Sequence, residues 1–251
     1  VGSEMCIRDS DPEETFSAQR FRDAFVAAWQ DIAARGKMPV LIGGAGMYLR
    51  AVTYGLLRLP EGSDARLPAI RAAVAALDDD ALDAELAAAD PASHQRLHPN
   101  DRYRRGRALE IHRLTGRPLS AITAAQAPDP ALGLAFPLVV LDRPVAELDA
   151  RIARRTELML AAGWLEETED LLAAHPADSP GLGSIGYTEV VQHLQGALNR
   201  ADLAPTIVRV TRQYAKRQRT WFRPLERVAA GAPDDLALVA AVADLVAEAL
   251  P

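Results

Sequence analysis

The chain has 251 residues, 49% of them apolar and 25% charged, with a formal net charge of −6, which suits one large globular domain or two small ones and argues mildly against indiscriminate coating of DNA. Cys6 is the only cysteine, so an internal disulfide framework and a thiolate metal cluster are excluded, in keeping with a reducing cytoplasm. No apolar run approaches a membrane span, and residues 1–10, VGSEMCIRDS, lack both the basic start and the apolar core of a secretory signal. The expectation is a cytoplasmic protein without membrane segments.

Ser17 is placed to cap a helix running through Phe21, Phe25, Ala28 and Ile32 and ending near Gly36. Pro39 to Gly43 reads as a short buried strand entering the glycine turn Gly43-Gly-Ala-Gly46, with a further amphipathic stretch from Met47 to Leu56. From Asp64 to about Ala125 the pattern turns Ala- and Leu-rich with no strand signal, and Pro91, Pro99 and Pro118 cut it into short helices. A strand returns at Phe136 to Leu141, a helix follows from Val145 to about Ala162, and beyond Gly163 the sheet is expected to resume. Pro176 to Gly186 is a Gly/Pro loop, two helices lead on to a basic stretch, and Asp234 to Leu250 forms a last amphipathic helix. Helix, strand, glycine turn and helix in succession indicate a partial parallel α/β sheet flanked by helices and interrupted by an all-helical insertion, with core segments 11–63 and 127–251 and the insertion at 64–126.

Several constellations resolve to ordinary structure. The glycine turn could bring backbone amides to a phosphate, but its spacing is not the dinucleotide fingerprint, and a tight strand-to-helix turn explains it. Gly36-Lys37 is not a phosphate loop, because Met38 and a strand follow it. His94 and His98 have zinc-like i, i+4 spacing with no carboxylate between them, and Asp78-Asp-Asp80 reads as a helix cap.

The basic residues are more informative. Of the 28 Lys and Arg, six lie in Arg102–Arg117, three in Arg151–Arg155 and seven in Arg209–Arg227. In the last stretch Arg209, Arg212, Lys216, Arg219 and Arg223 recur in steps of three and four. At roughly 100° per residue they share an arc of about 80°, with Ile207, Val210, Tyr214 and Trp221 on the opposite, core side. An acidic protein that gathers cations this way is equipped to hold a polyanion, either nucleic acid or a phosphorylated substrate. In Arg102-Tyr-Arg-Arg-Gly-Arg107, which Asn100 or Asp101 can cap, arginines occupy a first helical turn, where the macrodipole disfavours them, and a phosphate backbone would account for them.

Leu97-His-Pro-Asn-Asp101 with the arginines after it, Ser184-Ile-Gly-Tyr187 and Arg212-Gln-Tyr-Ala-Lys-Arg-Gln-Arg-Thr-Trp-Phe-Arg223 resemble, in order and spacing, the tRNA dimethylallyltransferase (tRNA isopentenyltransferase) family. The resemblance runs from about Asp11 to Val228 and includes Phe16-Ser-Ala18 and Gly43-Gly-Ala-Gly-Met-Tyr48. It implies a P-loop NTPase-like α/β core and transfer of a dimethylallyl group from its diphosphate to the exocyclic amine of an adenosine beside the tRNA anticodon, assisted by Mg²⁺, in a monomer. It also implies that Arg155 attends the departing diphosphate, where cations lower the barrier as charge develops. Tyr103, Arg104, Arg105, Gly106 and Arg107 would line the tRNA path. So would Gly183, Ser184, Ile185, Gly186, Tyr187 and Thr188, and, on the basic helix, Lys216, Arg217, Gln218, Arg219, Thr220, Trp221, Phe222 and Arg223, with Ala45 and Arg71 as single positions near it. The target base must leave its stack to react, which calls for phosphate-gripping arms and stacking surfaces.

Departures from the pattern are informative too. Ala45 stands where the family usually has Thr, and Thr188 where a basic residue is common, so a hydroxyl and a charge that could touch substrate are missing. The phosphate-binding loop and general-base aspartate that open the family's sequences have no counterpart here, and residues 1–10 read as a foreign leader on a truncated chain. Two readings from different classes follow: a tRNA-modifying enzyme, or a tRNA-binding fragment without catalysis. A third, a different nucleotide-binding α/β protein, would require the glycine turn to be the main site.

Overall fold

A computed structural model describes residues 11–57 and 63–249. In chain order the elements are α1 (Ala18–Ala34), α2 (Gly46–Thr53), α3 (Ser63–Ala75), α4 (Asp79–Ala89), α5 (Pro91–Arg96), α6 (Arg102–Thr115), α7 (Leu119–Ala125), β1 (Val139–Leu141), α8 (Val145–Ala161), α9 (Trp164–Ala174), α10 (Tyr187–Leu194), α11 (Arg200–Phe222), β2 (Ala229–Gly231) and α12 (Leu236–Ala249). They fall into two compact units, one made of the chain up to Thr53 and from Pro130 on, the other of Tyr54–Asp129. The second unit is wider than the 64–126 read from composition. The leader expected at 1–10 lies outside the described residues.

In the first unit, the Ser17 hydroxyl accepts the Arg20 amide at 3.1 Å, the cap its position called for. Phe25, Trp29 and Phe136 form an aromatic group with ring centroids 5.4–5.8 Å apart, fastening α1 to the segment that enters β1. Trp164, Val190, Leu203 and Ile207 make the main buried cluster, joined by Met159, Leu160 and Tyr187, so α8, α9, α10 and α11 close on one core. Gly163, with φ +101°, gives the left-handed corner between α8 and α9.

β1 and β2 pair in parallel, Val139 opposite Ala229 and Leu141 opposite Gly231. Two strand expectations need correction, and one strand was missed. Pro39–Gly43 is not a strand: among the described residues no strand pairs with it, and Val40 and Ile42 are 66% and 86% exposed. The sheet does not resume after Gly163, where Trp164 to Ala174 is the helix α9. β2 was not anticipated, because Ala229-Ala-Gly231 has none of the β-branched or aromatic signal of a strand and is recruited by its partner.

The second unit is helical throughout its described residues. Val74, Leu82 and Leu109 form its core, with Ile70 and Leu77 against them. Asp78 and Asp101 cap α4 and α6 through the amides of Ala81 and Arg104, so the acidic run at 78–80 is a cap as expected. His94 meets Asp83 at 3.0 Å and the His98 ring accepts the Asn100 amide. Asp90 is fully buried and accepts the Ser93 amide and both the amide and hydroxyl of Ser120, tying α5 to α7. Burial pushes its carboxyl up, but the hydrogen bonds from Ser120 and the Ser93 amide outweigh this, and the group titrates below its ordinary 3.8.

Candidate functional site: the glycine turn and the cationic helix

The first unit brings the glycine turn against the C-terminal half of α11. The side-chain amide of Gln218 donates to the Gly44 carbonyl at 2.9 Å, across 174 positions of sequence. Trp221 abuts Gly46, where α2 begins, and its ring meets Phe222 edge-on at 4.8 Å. Ala45 sits between these contacts, half-buried, with its carbonyl accepting the Leu49 amide in the first turn of α2.

The cations of α11 divide into two groups. Arg212 Nε lies 3.3 Å from Asp149 on α8, and Arg219 Nε lies 3.5 Å from Asp142 at the end of β1, so these two are partly neutralised by carboxylates of their own unit. Arg209, Lys216, Arg217 and Arg223 are exposed and have no carboxylate partner among the described residues. Tyr214 corrects the core-face reading: it is 36% exposed, with the Arg217 guanidinium 5.7 Å from its ring centroid. Thr220 bonds back to the Lys216 carbonyl, a helix-internal contact.

Arg155 is exposed on α8 without a carboxylate partner among the described residues. It comes six residues after Asp149, about 120° around the helix from the residue that reaches Arg212. No hydrogen bond or ion pair among the described residues joins it to the glycine turn or to α11.

The segment 183–188 sits at the α9–α10 corner. Gly186 has φ +96° and lies hard against the buried Trp164 ring, leaving no room for a Cβ. Its amide donates to Glu189 Oε2 at 2.7 Å, which starts α10. Gly183, Ser184 and Ile185 are exposed, and the Thr188 hydroxyl is turned back to the carbonyls of Leu182 and Ser184. Tyr187 donates to Glu167 at 2.9 Å; burial first, then this bond and the nearby carboxylate charge, push its phenol above its ordinary value. A small open cleft of about 210 Å³ lies between residues 177–183 and the start of α10, with Gly183, Thr188 and Gln192 on its wall.

In the helical unit the basic run at the start of α6 is mostly absorbed by its own fold. Arg105 is 3% exposed; its guanidinium donates to the Pro99 carbonyl at 2.8 Å and pairs with Asp83. Gly106 is buried against Val74. Arg107 and Arg71 both reach Glu110, at 2.8 and 3.5 Å. The expectation of an outward basic cluster is therefore corrected: Tyr103, 83% exposed, and Arg104, held only by a 3.5 Å contact with Asp101, point to solvent, while Arg105 and Gly106 do not. Their partners lie far off in sequence, which is why the spacing alone did not reveal them.

The donors near the glycine turn do not suit Mg²⁺, which takes oxygen ligands and prefers carboxylates. Asp142 and Asp149 already face arginines. One cluster of three ligating groups occurs among the described residues, Asp11, Glu13 and His175, but it includes an imidazole nitrogen, and His175 Nδ1 is 2.9 Å from Glu13 Oε1.

A family model described as IPP transferase matches residues 5–224. The chain belongs to this family. The match begins ahead of Asp11, so the family's extent reaches into the segment read as a foreign leader. The chain is 41% identical over 224 residues to the tRNA dimethylallyltransferase of Xanthomonas campestris, covering 85% of this chain and 67% of that one. It is 44% identical over 216 residues to tRNA dimethylallyltransferase 1 of Trichlorobacter lovleyi, covering 85% and 70%. Its fold matches the crystal structure of the tRNA isopentenylpyrophosphate transferase of Bacillus halodurans with TM-score 0.60 at 28% identity, over 97% of this chain and 77% of that one. The fold class is thus the P-loop NTPase-like α/β type, with β1 and β2 as its parallel sheet among the described residues. No helix among those residues is long and apolar enough to cross a membrane.

Proposed function

We propose that this family member modifies tRNA, transferring a dimethylallyl group from dimethylallyl diphosphate to the exocyclic amine of an adenosine beside the anticodon, as a cytoplasmic monomer. The amine nitrogen forms a bond to the allylic carbon as the carbon–oxygen bond to diphosphate breaks, and the proton the amine loses is taken up by water or by the released diphosphate. The leaving diphosphate takes the bonding electrons, so cations about it favour the transition state more than the ground state. Family membership supports the reaction. The observation that carries the RNA part is the set of exposed cations Lys216, Arg217 and Arg223, without a carboxylate partner among the described residues, on and just after the helix that holds the glycine turn. Arg155, exposed and free of a carboxylate partner among the described residues, is the residue we assign to the diphosphate. Tyr103 and Arg104 offer a ring face and a charge suited to an RNA strand.

The test is incubation of the chain with an anticodon stem-loop RNA and labelled dimethylallyl diphosphate, with and without Mg²⁺. Label in adenosine supports the transfer, and an Arg155→Ala variant is expected to lower the rate without loss of RNA affinity. RNA binding with no label assigns the chain to RNA capture alone, and absence of both refutes the proposal.

A further inference from the structure

The glycine turn meets α11 closely at two positions, and the backbone angles are not the reason glycine stands there. Neither Gly44 nor Gly46 has a positive φ. A Cβ on Gly44 would overlap the Gln218 amide, and one on Gly46 would lie 2.5 Å from the Trp221 ring. The Trp221 ring leaves no room for a side chain at 46, whereas a methyl at 44 fits only by displacing the flexible Gln218 amide from its hydrogen bond. The family resemblance counts Gln218 and Trp221 with the tRNA contacts, yet Gln218 spends its donor on the Gly44 carbonyl and Trp221 packs on the start of α2. Lys216 and Arg217, two and one positions before Gln218, are the exposed groups.

We propose that Gln218 and Trp221 are positioning residues: they lock the Gly43–Gly46 turn, and with it Ala45, beside the cationic face of α11, and do not themselves touch RNA. The proposal rests on the reading that α11 binds RNA. It assigns two jobs to neighbouring residues of one helix, since the charges capture the strand while the amide and the indole fix what the captured strand meets. Removing the Gln218 donor and filling the Gly44 space should be equivalent, because a methyl at Gly44 displaces the same amide.

The decisive set is Gln218→Ala, Gln218→Glu, Gly44→Ala and the Gly44→Ala/Gln218→Ala double variant, each read in two ways. Amide hydrogen exchange at Ala45, Gly46 and Met47 in the RNA-free protein should rise about tenfold in all four, with exchange in α10 unchanged as the control for folding. Affinity for an anticodon stem-loop RNA should fall by a similar factor in all four, the double variant being no worse than either single one. Gln218→Glu keeps the side-chain length but replaces the donor with an acceptor, so a Glu variant that behaves like wild type overturns the hydrogen-bond latch. Loss of affinity in Gln218→Ala with native exchange at the turn, or additive losses in the double variant, makes Gln218 a direct RNA contact and overturns the positioning role. Accelerated exchange in a chain whose wild type binds no RNA supports the latch and refutes the RNA reading.

Discussion

Lys216 and Arg212 lie one helical turn apart on α11, but among the described residues only Arg212 has a carboxylate beside it. Converting Lys216 to Glu should therefore weaken RNA binding and lower the slope of log affinity against log salt by about 1. Arg212→Ala should change that slope less, because its charge is already shared with Asp149; fluorescence anisotropy at several salt concentrations measures both. Asp90 is a different kind of charged residue, buried and serving the fold alone. Its folded pKa is depressed, so it contributes stability fully above its unfolded value near 3.8, and that contribution disappears as pH falls through the lower folded value. Asp90→Ala should cost about 2–3 kcal/mol at pH 7 by urea unfolding, and the gap from wild type should narrow as pH falls below the unfolded value of 3.8. Legibility at this scale follows range. The caps at Ser17, Asp78 and Asp101 act within three residues and could be read directly, whereas the burial of Arg105 depends on Asp83 and the role of Gln218 on Gly44, distant partners that no local spacing encodes.

Among the elements, the corner at Gly186 carries the strongest local constraint. A side chain there would meet both a left-handed backbone and the Trp164 ring. Gly186→Ala should cost about 2–4 kcal/mol and lower the melting temperature, with near-ultraviolet circular dichroism reporting the displaced indole. Helices were legible because their apolar periodicity and their stops lie in their own residues, as at α8, which ends against Gly163. Strands were not. Pro39–Gly43 has the composition of a strand, but pairing is a property of two segments, and among the described residues β1 pairs instead with the unassuming Ala229–Gly231.

Across the whole molecule, that segment leaves apolar surface in water, with Ile42 86% and Val40 66% exposed, and Leu141 at the end of β1 adds to it at 61%. Exposed apolar edges promote association. Replacing Ile42 with Lys should change unfolding free energy by less than about 0.5 kcal/mol, since little burial is lost, while raising the temperature at which light scattering begins. Solubility and stability should thus respond separately to one substitution.

Nearly the full circumference of α11 is in use. Ile207 enters the core, Arg212 and Arg219 meet carboxylates, Gln218 and Trp221 grip the turn, and Lys216 and Arg217 face solvent. A helix engaged on so many sides has little neutral sequence space: in a saturation library its tolerated substitutions would concentrate at positions such as Gln213, and the segment would drift more slowly between relatives than ordinary surface helices do.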